Sequence, residues 1–108
     1  MIIFLHQNIK NILNFLEAKM TINEYNELYE QLCYGHEAEI TYGEKRYFFE
    51  WESLKIIVYD ITNDKSIKTA EATGKDRLLI VDKLFNLPIW NNKPLNKEYT
   101  NIKIIDIE

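Results

Sequence analysis

The sequence predicts an α+β fold in which helices pack against an antiparallel sheet centred on residues 37–60. Two stretches in this region, 37–42 and 46–52, alternate apolar and polar residues, a pattern typical of strands with one buried face. A third stretch, between Thr21 and Gly35, has a helix start signal and an apolar stripe at helical spacing. Because the chain has 108 residues and 46% of them are apolar, we expect one domain, 1–108, with a real core.

Two helices are predicted before the sheet. Residues 8–19 place an apolar stripe on one side, formed by Ile9, Ile12, Leu13 and Leu16. Residues 1–20 are interpreted either as part of the domain or as a separate helical extension, and Met1 and Met20 are alternative starts. Thr21 and Glu24 have the spacing of a capping box, and Gly35 is placed to end the second helix. Its buried stripe is predicted to be Tyr25, Leu28, Tyr29 and Leu32.

The alternation assigns the side chains of the central hairpin to two faces. The loop 43–45 has the length and composition of a hairpin connection, and 54–60 is predicted as a third strand because it is rich in β-branched residues. One face should be buried and carries Ala38, Ile40, Tyr42, Tyr47, Phe49 and Trp51. The other face should be solvated and carries Glu37, Glu39, Thr41, Phe48, Glu50 and Glu52.

The remainder of the chain predicts a short strand, a helix and a closing strand. Residues 67–72 are assigned to the short strand, and a capping signal at 73–76 precedes a helix over 75–86 that Pro88 ends. Its buried stripe is predicted from Leu78, Leu79, Ile80, Val81, Leu84 and Phe85. Residues 95–99 fit one helical turn. The four isoleucines of 101–107 favour a strand in the interior of the sheet.

Acidic residues are concentrated in one part of the chain. The formal charge is −4, yet the segment from Glu24 to Glu52 holds eight acids against Lys45 and Arg46, a net charge of −6. Such a field favours a basic protein partner and disfavours nucleic acid. The alternative is that these acids cover ordinary solvated faces of a strand and a helix.

The sequence offers little chemistry of the kind that catalysis requires. Cys33 and His36 could form a thiolate–imidazole pair, but the alternative is a small core residue beside a loop histidine. One cysteine and two histidines are too few for a metal site without carboxylates, and we expect no cofactor and no enzymatic activity. The lone cysteine excludes an internal disulfide and fits a reducing, cytoplasmic setting. The apolar start is too short to cross a membrane.

Phe48 is the informative residue of the solvated face. An aromatic side chain surrounded by carboxylates has the composition of a binding hot spot. The predicted site for a protein partner is therefore the set Glu37, Glu39, Phe48, Glu50 and Glu52. The alternative is that the helix over 75–86 packs on this face and covers Phe48.

Three segments of the chain resemble those of a family of small proteins. Leu32–Tyr47, Leu84–Leu95 and Ile102–Ile107 resemble a family of small uncharacterised proteins of low-GC Gram-positive bacteria, in which a short helix leads into an hEieF-x-Y-x-G-K-x-Y hairpin. The resemblance covers Thr21 to Glu108. It implies an α+β fold and transfers no site or activity, because its motifs are turn and core residues.

Three functional hypotheses follow. The first is a non-catalytic cytoplasmic binding protein, for example an immunity protein or antitoxin that blocks a basic toxin through its acidic face. The second is a structural module that forms homo-oligomers through the Ile9–Leu16 stripe. The third is a small hydrolase that uses Cys33 and His36.

Overall fold

The computed structural model describes residues 20–108, and the predicted helix over 8–19 lies outside them. This part of the chain contains a five-stranded antiparallel sheet and three α-helices, which confirms the α+β fold. Short 3₁₀ turns at Thr62–Asp64 and Tyr99–Asn101 complete the connections. In chain order the elements are α1 (Ile22–Cys33), β1 (Ala38–Tyr42), β2 (Lys45–Trp51), β3 (Lys55–Asp60), β4 (Ile67–Thr73), α2 (Arg77–Asn86), α3 (Leu95–Glu98) and β5 (Ile102–Ile107).

The sheet is a meander with one added strand. Its order is β4-β3-β2-β1-β5, so the first four strands lie beside their neighbours in sequence and β5 pairs with β1. The prediction of an interior strand at the C-terminus is wrong, because β5 is an edge of the described sheet. A bulge in its pairing with β1 leaves Ile105 exposed, while Ile102, Ile104 and Ile107 pack on the core.

The core lies between the helices and one face of the sheet, which we call the inner face. Strand alternation places Phe49 on this face, and Phe49 is fully buried. Tyr47 and Trp51 are half-buried and pack against the same core, as the alternation predicted. The buried residues that form this core are Met20, Leu28, Leu32, Ala38, Ile40, Phe49, Ile56, Val58, Ala72, Ile80, Val81, Leu84, Phe85, Trp90, Leu95 and Ile102.

Helix α1 begins and ends as its sequence predicts. The Thr21 hydroxyl accepts from the Glu24 N–H, and the Glu24 carboxylate accepts from the Thr21 N–H, each at 3.1 Å. At the other end, the Gly35 N–H donates to Leu32 and the His36 N–H donates to Gln31, which is a Schellman motif. Gly35 adopts a φ of +93°, so a glycine is favoured at this position.

Helix α2 begins later than predicted and buries a narrower stripe. Its N-cap is Asp76, whose carboxylate accepts from the Leu79 N–H at 2.9 Å. This start buries Ile80 but leaves Leu78 54% exposed and Leu79 45% exposed, so their predicted burial is wrong. A run of consecutive apolar residues has no single helical stripe, and the position of the cap decides which of them face the sheet.

A tight turn delivers Trp90 to the inner face. Trp90 and Lys93 exchange two backbone hydrogen bonds around Asn91 and Asn92, which both have positive φ, the geometry of a type I′ turn. The Trp90 ring then packs edge-on against Tyr47, with centroids 5.3 Å apart. The residues that precede α3 therefore complete the core beneath the hairpin.

Alanine substitutions of Phe48 and Phe49, which lie on opposite faces of the sheet, test the assignment of the two faces. We expect Phe49→Ala to lower the free energy of unfolding by about 3–5 kcal/mol, because it leaves a cavity in the core. Phe48→Ala should cost roughly 1 kcal/mol, because only part of that side chain leaves water. Urea unfolding of the two variants measures the difference, and equal losses would contradict the assignment of the faces.

Candidate functional site

The face of the sheet opposite the core, which we call the outer face, has an apolar centre. Phe48 lies between Glu39 of β1 and Tyr59 of β3, and Ile57 lies between Glu50 and Glu71. Phe48 and Tyr59 are half-buried, and Ile57 is only 3% exposed although it is outside the core cluster. An aromatic and aliphatic centre with charged neighbours therefore occupies this side of the hairpin.

Within residues 20–108, the helices pack on the inner face. Ile80, Val81 and Leu84 of α2 belong to the same buried cluster as Phe49 and Val58. The alternative interpretation, in which this helix covers Phe48, is therefore wrong. Strand alternation explains the outcome, since Phe48 and Phe49 must face opposite sides of the sheet.

The outer face is nearly neutral because the fold places basic residues of other strands beside the acidic segment. Arg46 pairs with Glu39 at 3.1 Å, and Lys68 pairs with Glu71 at 2.9 Å. Lys55 also contacts Glu71, at 3.7 Å, and the hydrogen bond from Lys68 lowers the pKa of Glu71. By the strand register, four acids (Glu39, Glu50, Glu71 and Asp106) and four bases (Arg46, Lys55, Lys68 and Lys103) point to this side, so the paired strand residues carry no net charge there.

The predicted site residues have different surroundings. Phe48, Glu39 and Glu50 lie together on the outer face, with Glu39 already paired to Arg46. The Glu37 carboxylate instead accepts from the Trp51 N–H at 2.8 Å, so it closes the end of the β1–β2 ladder. In the part of the chain that the structure describes, Glu50 and the exposed Glu52 have no ion pair.

Cys33 and His36 each have their own partner. The half-buried Cys33 thiol lies beside the Tyr29 hydroxyl, and burial raises its pKa. The hydroxyl of Tyr29 donates to Asp82 at 2.6 Å, and this bond raises the pKa of Tyr29. Nδ1 of His36 lies 2.6 Å from the backbone oxygen of Glu108. A raised thiol pKa opposes the thiolate that a cysteine nucleophile needs.

A buried carboxylate beneath the hairpin had no signal in the sequence. Glu98, at the end of α3, is only 6% exposed and accepts from the Tyr42 hydroxyl at 2.7 Å and from the Asn101 amide at 3.2 Å. Lys93 contributes a further contact at 3.6 Å. The bond from Tyr42 lowers the pKa of Glu98, whereas burial and this bond raise the pKa of Tyr42 to about 12. Glu98 therefore ties the end of β1 to the segments on both sides of α3.

A cleft of about 470 Å³ opens on the inner side near the Trp90 turn. Its walls include Tyr47, Thr69, Trp90 and Asn92. The Tyr47 hydroxyl is its one titratable group, and burial raises the pKa of that hydroxyl. Among the described residues of its walls, Tyr47 and Thr69 carry hydroxyl groups, but no histidine, carboxylate or amine is present as the base that would activate a hydroxyl nucleophile.

Residues 20–108 provide neither a cluster of metal ligands nor a membrane-spanning helix. No group of three or more His, Cys, Asp or Glu side chains there is arranged to hold a metal ion. No helix in the same region is long and apolar enough to cross a membrane.

Comparison of the chain with protein-family models, curated protein sequences and solved structures finds no match. The resemblance to a family of Gram-positive bacteria therefore stays a prediction. Function has to be argued from the described faces of this chain alone.

The Glu98 contacts predict an acid-sensitive contribution to stability. Because its folded-state pKa is lowered, the ionised carboxylate favours the folded state above its unfolded pKa of 4.5, and this stabilisation is lost as the pH falls through the folded value. We expect Glu98→Gln to be less stable near neutral pH and to lose less stability on acidification than the wild type. Thermal unfolding from roughly pH 7 to pH 3 measures both effects. Glu44→Gln, in the exposed hairpin loop, is the matched control and should keep the wild-type slope.

Proposed function

We propose that this protein is a non-catalytic protein-binding module whose partner docks on the outer face around Phe48. The observation that carries the proposal is the one-sided packing of the described chain. Its helices cover the inner face, while Phe48, Ile57 and Tyr59 form an apolar centre on the other. Aromatic anchors in a polar surround are typical of the residues that contribute most to protein binding.

The chemistry of the described residues supports a binding role over catalysis. The Cys33 thiol lies beside Tyr29 and has a raised pKa, and the His36 ring contacts Glu108. The described walls of the Tyr47 cleft hold no histidine, carboxylate or amine that could act as a base. Among residues 20–108, the outer face also has no thiol or imidazole, and its polar groups there are carboxylates, amines, hydroxyls and one guanidinium. These groups suit hydrogen bonds and ion pairs at an interface.

Photo-crosslinking tests the docking surface. The photoreactive p-benzoylphenylalanine is introduced at position 48 of the full chain, and at Tyr34 on the helical side as a matched exposed control. We expect discrete adducts from position 48 in the producing cells, absent from position 34 and reduced by Glu50→Lys. The proposal is overturned if position 48 yields no adduct or if both positions yield the same adducts.

An immunity protein or antitoxin is the narrower form of this proposal. Glu50 of β2 and Glu52, which directly follows this strand, favour it because neither has an ion pair among the described residues. A basic toxin surface would supply the missing cations.

Co-expression with the tagged products of adjacent genes tests this narrower form. We expect capture that weakens with added salt and is lost in Glu50→Lys/Glu52→Lys, because screening and charge reversal remove the same attraction. The matched control reverses two acids of α1, Glu27→Lys/Glu30→Lys, and should retain capture. Capture that is insensitive to salt, or no capture, contradicts a basic partner.

A further inference from the structure

We infer that the partner on the outer face is a second copy of this chain, docked face to face about a two-fold axis through Phe48. The inference rests on the proposed function, because it names the occupant of the same surface. Its basis is the self-complementary order of charges along β2.

Strand β2 carries opposite charges at equal distances from Phe48. Arg46 lies two residues before Phe48 and Glu50 two residues after it, and all three point to the outer face. With about 3.4 Å per residue, each charge is about 7 Å from the Phe48 position along the strand. A two-fold axis that runs parallel to the sheet, above its outer face and perpendicular to β2 therefore places Arg46 of each copy opposite Glu50 of the other.

The same operation places apolar side chains together. Phe48 faces its own copy, and so does Tyr59, which is its direct cross-strand neighbour. An interface in which residue i contacts residue j of the other copy, and j contacts i, is isologous and closes as a dimer.

The charge balance of the face favours this occupant over a strongly basic one. Four acids and four bases of the paired strands leave no net charge, so the two faces do not repel one another through net charge. Arg46 already contacts Glu39, but its guanidinium has five donors and can bind a second carboxylate. Glu50 has no ion pair within residues 20–108, and Arg46 of the second copy supplies one.

The size of the face predicts a weak, reversible dimer. The five strands have five to seven residues. With strands about 4.8 Å apart and about 3.4 Å per residue, the face measures about 24 by 20 Å in projection, or roughly 480 Å². Stable interfaces bury about 800 Å² on each partner. The dimer should therefore form only as the protein concentration rises.

Mixing two charge-reversal variants tests the geometry. Sedimentation equilibrium of the full chain should show concentration-dependent dimers. In Glu50→Lys, the new lysine of each copy lies opposite Arg46 of the other, and in Arg46→Glu the new glutamate lies opposite Glu50. Like charges then repel across the interface, so each variant alone should be monomeric. An equimolar mixture restores both ion pairs and should form heterodimers. Phe48→Glu should weaken dimerisation at least about 30-fold, the factor expected for loss of an aromatic hot spot.

A control variant distinguishes loss of the outer-face contacts from a general effect of the charge change. Glu27→Lys, on α1, makes the same charge change as Glu50→Lys and should dimerise like the wild type. A monomeric wild type, or a dimer that Glu50→Lys, Arg46→Glu and Phe48→Glu do not affect, overturns the inference.

The adduct formed by the photoreactive residue at position 48 identifies the occupant. Twice the 13.0 kDa chain mass supports a second copy. If the only adducts are with a different protein, self-association is rejected and the proposed binding function is retained. If position 48 links only to residues 1–19 of its own chain, both the self-association and the binding function are rejected.

Discussion

The two-residue period of strand β2 determines the organisation of this molecule. Phe48 and Phe49 are adjacent in sequence, yet Phe49 is fully buried beneath the helices and Phe48 lies outside the core cluster. A shift of one residue in the β1–β2 register would exchange these environments and place Glu50 in the core. Burial of an unpaired carboxylate is costly, so the hydrophobic pattern and the cost of charge burial select the same register.

Cross-strand pairing determines the charge of the outer face more than local composition does. The segment 24–52 has a net charge of −6, but the strands beside it bring Lys55, Lys68 and Lys103 to the same surface. Exposed ion pairs contribute little to stability, since water screens them and the side chains lose freedom. Their greater effect is on recognition, because a nearly neutral, alternating surface accepts a different partner from a uniformly acidic one.

Most of the elements were predictable because their signals are local. The capping box at Thr21, the Gly35 stop and the alternation of β1 and β2 each involve residues within a few positions of one another. One error is local, since the cap at Asp76 exposes Leu78 and Leu79. The other errors concern relations between distant segments. The place of β5 at the edge depends on which strand pairs with β1, and the ion pairs of the outer face depend on the complete strand order. Glu98 contacts Tyr42 across 56 positions, and no spacing rule in the sequence could indicate that bond.

The hydrogen-bonding groups beneath the hairpin explain why the inner side is a scaffold and the outer side the candidate interface. Glu98 holds Tyr42 and Asn101, while Trp90 packs on Tyr47 and Phe49, so these side chains are committed to one another. On the outer face only part of the charge is satisfied within residues 20–108. The outer face combines an apolar centre with a paired base, Arg46, and an acid, Glu50, that has no ion pair within residues 20–108. A docking partner can therefore add contacts without breaking those that stabilise the fold.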